Sequence, residues 1–320
     1  MDFREPIRAE LAQFNREFPE AFRSNVALLD LILRYVVRQK GKQLRPSLVF
    51  LMAKAHGEVG PRSYRGATLV ELMHTATLVH DDVVDESAVR RSMFSINALW
   101  KNKIAVLVGD YMLSRVLLQA VESGDYDLLR MVSTSVRAMS EGELLQIEKA
   151  RRLDIDESVY YDIIQKKTAS LMASCCGVGA ASVGADDALV QRAEAFGNAL
   201  GMGFQIQDDL LDYQAYGSSG KPAGIDVREQ KMTLPLIFAL QQAEPQTKRE
   251  LMRIVRRKSN DPESIRTLMT EVDRLGGLAY ACERRNAFLD QARAILSEFA
   301  QSDARDALDS LIDFVGQRAK

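Results

Sequence analysis

The sequence predicts an all-α fold, and three observations predict it. Apolar residues recur at helical spacing along nearly the whole chain. Aromatic residues make up only 7% of the 320 residues, with one Trp and 8 Pro, so the core must rest on Leu, Ala, Val, Ile and Met. Those residues suit helices better than a β-sandwich. No hairpin turn signal stands between two alternating runs. No Gly/Ser linker, low-complexity tract or solenoid repeat divides the chain, so the expectation is one domain, 1–320, of ten or more helices.

The first helix is expected over 19–38. It opens at Pro19-Glu20, carries Val26, Leu29, Ile32, Leu33 and Val36 on one face, and stops at Gly41. A second begins near Pro46, and a third runs from about Ser63 to Asp82. Further helical periods cover 104–122, 125–149, 157–184, 188–213, 230–243, 246–257, 262–273, 278–299 and 303–317. The glycine-rich break at 217–224 reads as a loop, with Lys221 among glycines whose backbone amides could also approach an anion. Residues 168–185 carry no charge for 18 positions, close to the ~20 that a membrane-spanning helix needs. They are mostly small, however, so the expectation is a buried helix that neighbouring backbones approach closely, and no transmembrane segment.

The apolar fraction of 47% excludes a largely disordered chain. A balance of 42 Lys plus Arg against 44 Asp plus Glu argues against a general nucleic-acid binder. Cys175, Cys176 and Cys282 are odd in number and two are adjacent, which is no disulfide framework. With no leader pattern at Met1-Asp2-Phe3-Arg4-Glu5, the expected location is cytoplasmic.

The chemistry concentrates in two acidic clusters. The segment 78–86, LVHDDVVDE, ends an otherwise apolar helix in acids. Asp81 and Asp85 share a helix face, with Asp82 about 100° around the axis. Like charges at that spacing destabilise a bare helix, and acids at a helix C-terminus also oppose its dipole. A cation between them removes both penalties, and oxygen ligands suit Mg²⁺, which shares itself between carboxylates, water and phosphates. The segment 204–212, FQIQDDLLD, repeats the pattern with Asp208, Asp209 and Asp212. One DDxxD alone could be a solvated face; two, each ending an apolar helix, suggest acid clusters facing across a cavity and binding a diphosphate through metal. Cations accompany them: Arg90 and Arg91 after the first cluster, Lys221 and Lys231 after the second, Lys42 and Arg45 at the start of a helix, and Lys167-Thr168 opening the uncharged segment. Together they read as diphosphate clamps.

With these elements in place, the sequence resembles the trans-polyprenyl diphosphate synthases, the chain-elongating isoprenoid prenyltransferases. The matching segments, in order, are GKQLRP at 41–46, HDDVVDESAVRR at 80–91, GDYMLSR at 109–115, KTASL at 167–171, FQIQDDLLD at 204–212, GKPAGID at 220–226 and KMTLP at 231–235. The resemblance implies an all-helical bundle around a deep central cavity, usually a homodimer, that condenses isopentenyl diphosphate head to tail with an allylic diphosphate. It implies Mg²⁺, about three ions per active site with substrate bound. By position, Asp81, Asp82, Asp85, Asp208, Asp209 and Asp212 would hold metal; Lys42, Arg45, His74 and Arg91 would contact isopentenyl diphosphate; Arg90, Lys167, Thr168, Gln205, Lys221 and Lys231 would surround the allylic diphosphate. On the residues alone, His74 is equally a hydrogen-bonded core histidine. Metal and cations would stabilise departing diphosphate, and the allylic cation would be attacked by the isopentenyl double bond in a dry cavity. No side-chain general base is evident, and the departing proton would pass to released diphosphate. Two departures stand out: Ser92-Met93-Phe94-Ser95 where the family often has a Gly-Lys-Pro-Thr-like turn, and Gln230 where it has glycine.

Product length follows from the helix before the first cluster. One turn back from Asp81 stand Ala76 and Thr77, and two turns back Leu72 and Met73. Short-chain relatives close this space with large aromatics; the small residues here imply a long product, hexaprenyl to octaprenyl or longer, of the kind used for quinone side chains, with Met73, Leu72 or a residue from another helix as floor, the alternative being that Ala76 only packs against a neighbouring helix. The competing readings are a short-chain farnesyl or geranylgeranyl synthase, a terpene cyclase, a non-catalytic partner subunit and, from His80-Asp81, a metal phosphohydrolase. The last needs more histidines than His56, His74 and His80.

Overall fold

The computed structural model describes residues 2–39, 41–90, 93–152, 155–214 and 224–317. In chain order its helices are α1 (Arg8–Glu17), α2 (Ala27–Arg38), α3 (Leu44–His56), α4 (Pro61–Val84), α5 (Ile96–Ser123), α6 (Tyr126–Arg152), α7 (Glu157–Ile164), α8 (Ser170–Ser182), α9 (Asp187–Gln214), α10 (Ile225–Arg228), α11 (Leu234–Gln242), α12 (Pro245–Arg257), α13 (Pro262–Arg274), α14 (Gly277–Leu296) and α15 (Asp303–Gln317). A minimal antiparallel ribbon, β1 (Val89–Arg90) with β2 (Met93–Phe94), lies between α4 and α5, pairing Val89 with Phe94 and Arg90 with Met93. The all-α expectation holds.

Several boundaries differ from the sequence reading, each for a local reason. The helix expected over 19–38 is two pieces: a 3-10 turn over Phe18–Phe22, which Pro19 opens, and α2 after an extended Arg23. Helix α4 opens at Pro61, where a proline in the first turn costs no hydrogen bond, with Ser63 reaching back to the Gly60 amide at 3.4 Å. Helix α5 starts eight residues earlier than expected, but it contains a break at Lys101, whose φ of 71° and ψ of 160° are non-helical. The run 157–184 is divided by a π-helical turn over Gln165–Ala169. Lys231 and Met232 precede α11 instead of belonging to it, because Thr233 is extended and Pro235 sits in the first turn.

The chain groups into two compact units. The first comprises residues up to Arg137, Leu171–Gly197 and Glu298–Ser310; the second comprises Ala138–Ser170, Asn198–Ser297 and the chain from Leu311 onward. In the first, α3 is buried continuously from Pro46 to Ala53. The uncharged helix α8 is buried beside it almost throughout. Its small residues permit this: a Cβ on Gly179 would lie 2.4 Å from the Val49 carbonyl oxygen. Asp125, buried before α6, accepts hydrogen bonds from Nε of Arg62 at 3.1 Å and Nε of Arg65 at 2.6 Å, while Arg62 also donates to the Ala181 carbonyl. Among the described residues, α5 is the one helix long and apolar enough to cross a membrane, and one third of that stretch is buried. In the second unit, Ile163, Ile206, Leu210, Leu234, Leu251 and Leu268 are among the side chains of a continuous apolar core.

Candidate diphosphate and metal sites

In the first unit, the last turns of α4 carry the first cluster. Asp81 is half-buried, Asp82 buried and Asp85 exposed. Asp85 forms the cap, its amide donating to the Asp81 carbonyl at 2.8 Å. The Asp82 carbonyl, which the helix end would leave without a partner, accepts from the Ser87 amide and from Nδ2 of Asn97, both at 3.0 Å. The Asp82 carboxylate accepts from Nε of Arg90 at 2.5 Å. Burial pushes the Asp82 carboxyl upward, and Arg90 works against that shift. His80 does not join the acids: its ring lies where a Cβ on Gly109 would be 2.2 Å from Nε2, and it faces the Val106 carbonyl at 3.3 Å. The glycine of the GDYMLSR segment therefore makes room for this histidine.

Ahead of α3, Gln43 adopts a left-handed conformation with φ 52° and ψ 33°, and its amide pairs with Asn15. That turn separates Lys42, which is exposed, from Arg45, which is half-buried. Arg45 and Glu71 both act electrostatically on buried Cys175, whose thiol is pushed up to about 12 chiefly by burial. His74 is buried on α4, with Leu72, Met73 and Ala76. Thr77 is half-buried and its hydroxyl donates to the His74 carbonyl. A cavity of ≈ 60 Å³ borders the cluster, lined on α4 by Glu71, Thr75, Leu78, Val79 and Asp82 and elsewhere by Phe14 and Phe18 among others. Leu72, Met73 and Ala76 are not in its lining. Arg91, Ser92 and Lys221 lie outside the described residues.

In the second unit, α9 carries the second cluster two turns from its end. Asp208 is exposed, while Asp209 and Asp212 are buried. Both oxygens of Asp209 have neutral donors: Nε2 of Gln205 at 2.9 Å and the Tyr160 hydroxyl at 2.8 Å. Thr168 in turn donates to Oε1 of Gln205 at 2.7 Å. Asp212 accepts from the amides of Ile225 at 3.2 Å and Asp226 at 3.0 Å, so it caps the short helix α10. Burial, reinforced by Asp226 and Asp208, pushes the Asp209 carboxyl up to about 8. Burial likewise pushes Asp226 up to about 6, with Lys231 opposing and Asp212 and Glu229 adding to the shift. Lys231 pairs with Glu229 and lies 3.8 Å from Asp226. Lys167 pairs with Glu143 and donates to Gln146 at 3.2 Å. Gln230, at φ 56°, occupies a left-handed position that glycine would adopt without strain.

The donor chemistry fits a hard cation. The carboxylates are oxygen ligands, and buried Asp209 and Asp226 are pushed above their usual range chiefly by burial, with Asp226 adding to the rise of Asp209, and Asp212 and Glu229 to that of Asp226. Among the described residues no group of three or more His, Cys, Asp or Glu closes into a cage by itself. Sequence reasoning missed Asn97, Tyr160 and Asp226. Asp226 stood inside GKPAGID, but nothing in the local pattern of the other two marks them.

A profile of the polyprenyl synthetase family matches residues 26–272. The chain belongs to the polyprenyl synthetase family. It is an enzyme of that family, a prenyltransferase. It is 34% identical over 313 residues to the octaprenyl diphosphate synthase of Escherichia coli, covering 97% of this chain and 96% of that one. The decaprenyl diphosphate synthase structure from Rhodobacter capsulatus superposes with a TM-score of 0.93 at 33% identity, covering 99% and 98% of the two chains. A polyprenyl synthase from Caulobacter crescentus CB15, complexed with calcium and isoprenyl diphosphate, gives a TM-score of 0.91 at 33% identity, covering 100% and 98%. In this polyprenyl synthetase, two of the segments that carried the sequence resemblance, at 80–91 and 204–212, contain the acid clusters.

Proposed function

We propose that this polyprenyl synthetase condenses isopentenyl diphosphate head to tail with an allylic diphosphate, Mg²⁺-dependently, to make a long all-trans polyprenyl diphosphate. The observation that carries this is the duplicated DDxxD: in each unit a helix ends in a cluster with a buried middle aspartate held by the protein and another aspartate at the surface. Asp81, Asp82 and Asp85 of the first cluster, and Asp208, Asp209 and Asp212 of the second, are the groups to hold about three ions when substrate is bound. Bound Mg²⁺ would supply charge stabilisation for the departing diphosphate.

The chain's own residues do the rest. Lys42, Arg45, His74 and Arg91 hold isopentenyl diphosphate, and Arg90, Lys167, Thr168, Gln205, Lys221 and Lys231 hold the allylic diphosphate. Clamping both diphosphates converts a two-substrate encounter into an oriented reaction. Apolar packing excludes water, which would otherwise capture the allylic cation. The proton lost after carbon–carbon bond formation leaves with the released diphosphate. Ala76 and Thr77 place no aromatic side chain one turn above Asp81, which supports a long product with Leu72 or Met73 as floor. The long-chain names of the Escherichia coli and Rhodobacter relatives point the same way.

The active form is proposed to be a homodimer in the cytoplasm. Helix α5 leaves Leu99, Val106, Leu107, Leu117, Leu118 and Val121 exposed, an apolar area that a second copy would cover. Incubation of pure protein with farnesyl diphosphate, isopentenyl diphosphate and Mg²⁺, followed by mass spectrometry, tests the reaction. Products of thirty carbons or more are expected; no elongation would overturn the reading, and products ending at twenty carbons would make it a short-chain enzyme.

A further inference from the structure

Tyr160 is buried in the second unit, 3% exposed, and its aromatic ring packs on Tyr161 with centroids 5.5 Å apart. Its hydroxyl donates at 2.8 Å to Oδ2 of Asp209, whose other oxygen is taken by Gln205. A carboxylate has about four lone-pair positions, so these two donors leave half of its accepting capacity open while fixing its plane. Neither donor carries a charge, so the two orient Asp209 without supplying a counter-charge.

The backbone between Tyr160 and Thr168 explains how one helical segment grips α9 twice. In an unbroken α-helix, residues eight apart lie about 80° out of line around the axis. The π turn over Gln165–Ala169 is wider than an α turn and takes up that offset. Tyr160 and Thr168 can then both reach one face of α9, Tyr160 to Asp209 and Thr168 to Gln205 one turn earlier. π turns of this kind recur at functional sites.

We propose that Tyr160 is a positioning residue of the prenyltransferase reaction: with Gln205 it sets the orientation in which Asp209 meets the metal–diphosphate. The proposal rests on the reading of the second cluster as a metal site. Tyr160→Phe keeps the ring and its packing and deletes only the donor. The half-saturating Mg²⁺ concentration for elongation should rise about tenfold, the low end of what losing a partner behind a metal ligand costs. The melting temperature without metal should change by only a few degrees. The Mg²⁺-induced rise in melting temperature should shrink in parallel, a readout that needs only folded protein. Thr168→Val, which frees Gln205, should shift the Mg²⁺ dependence in the same direction but less. Asp209→Asn separates the two levels of argument. If it leaves the Mg²⁺ dependence unchanged, the assignment of the second cluster falls; if it raises the Mg²⁺ requirement while Tyr160→Phe and Thr168→Val behave as wild type, the positioning role alone is overturned.

Discussion

Nε of Arg90 donates to Oδ1 of Asp82 at 2.5 Å, so the middle aspartate of the first cluster is held by a cation eight residues further along the chain. Its counterpart Asp209 is held by two neutral donors instead. The contrast explains their electrostatics: burial raises both, but Arg90 restrains Asp82 while the like charges of Asp226 and Asp208 lift Asp209 further. Arg90→Gln should therefore weaken folding as well as catalysis. Losing a charged hydrogen bond to a buried carboxylate costs about 1.5–3 kcal/mol. The expected result is a lower urea midpoint with an unchanged slope, together with reduced elongation.

Replacing Ala76 by Phe should shorten the product. Ala76 is fully buried on α4, one turn above Asp81, so a larger side chain must enter whatever space lies beside that turn. Mass spectrometry of elongation products checks it. An unchanged product length from a folded variant would remove this turn from the determinants of chain length.

Lys101→Gly should stabilise the protein. At φ 71° and ψ 160°, Lys101 occupies backbone space that is nearly reserved for glycine, where an L side chain costs about 1–3 kcal/mol. Glycine loses part of that gain through its freer unfolded chain. The net expectation is a rise in melting temperature of a few degrees by calorimetry, with elongation preserved.

The opposite sign is expected at Gly179. An added Cβ would meet the Val49 carbonyl oxygen at 2.4 Å and Cβ of Met52 at 2.9 Å, between buried elements that cannot easily yield. Gly179→Ala should cost about 1–3 kcal/mol by overpacking, read as a fall in denaturation midpoint.

The Asp125 site should make the protein acid-sensitive. Burial alone would raise this carboxyl, but hydrogen bonds from Arg65 and Arg62 hold it below its ordinary value. A carboxylate depressed in the folded state adds stability above its unfolded pKa of about 3.9, and that stability disappears as pH falls through the lower folded value. Asp125→Asn should therefore lower stability at pH 7 by about 1.5–3 kcal/mol and flatten the loss of stability below pH 4. Urea titrations at several pH values measure both effects.

The helices, the two DDxxD clusters and the accompanying cations were legible in the chain because each depends on neighbours within a turn or two. Apolar spacing makes α4 and α9 amphipathic or buried whatever surrounds them, and four-residue spacing alone aligns Asp81 with Asp85 and Asp208 with Asp212. The small, uncharged character of 168–185 likewise announced a closely approached helix, and Gly179 against Val49 is that approach. Local pattern was blind to the 3-10 turn at Phe18–Phe22, the break at Lys101 and the π turn at Gln165–Ala169. Pro19 opens the first where the residues read as the start of a longer helix, and the other two contain ordinary helix-compatible residues that carry no local sign of a break.

The division of labour among the aspartates was decided only in three dimensions. By sequence the two clusters are copies. In the folded chain Asp82 answers to Arg90, Asp209 to Tyr160 and Gln205, and Asp212 to the amides of Ile225 and Asp226. The partners of Asp209 and Asp212 lie between 4 and 49 residues away, and a hydrogen bond depends on distance and angle, which sequence separation does not specify. Helix period thus determined that the acids gather, while tertiary packing determined which of them are buried, which donors orient them and how strongly Asp82 and Asp209 hold their protons.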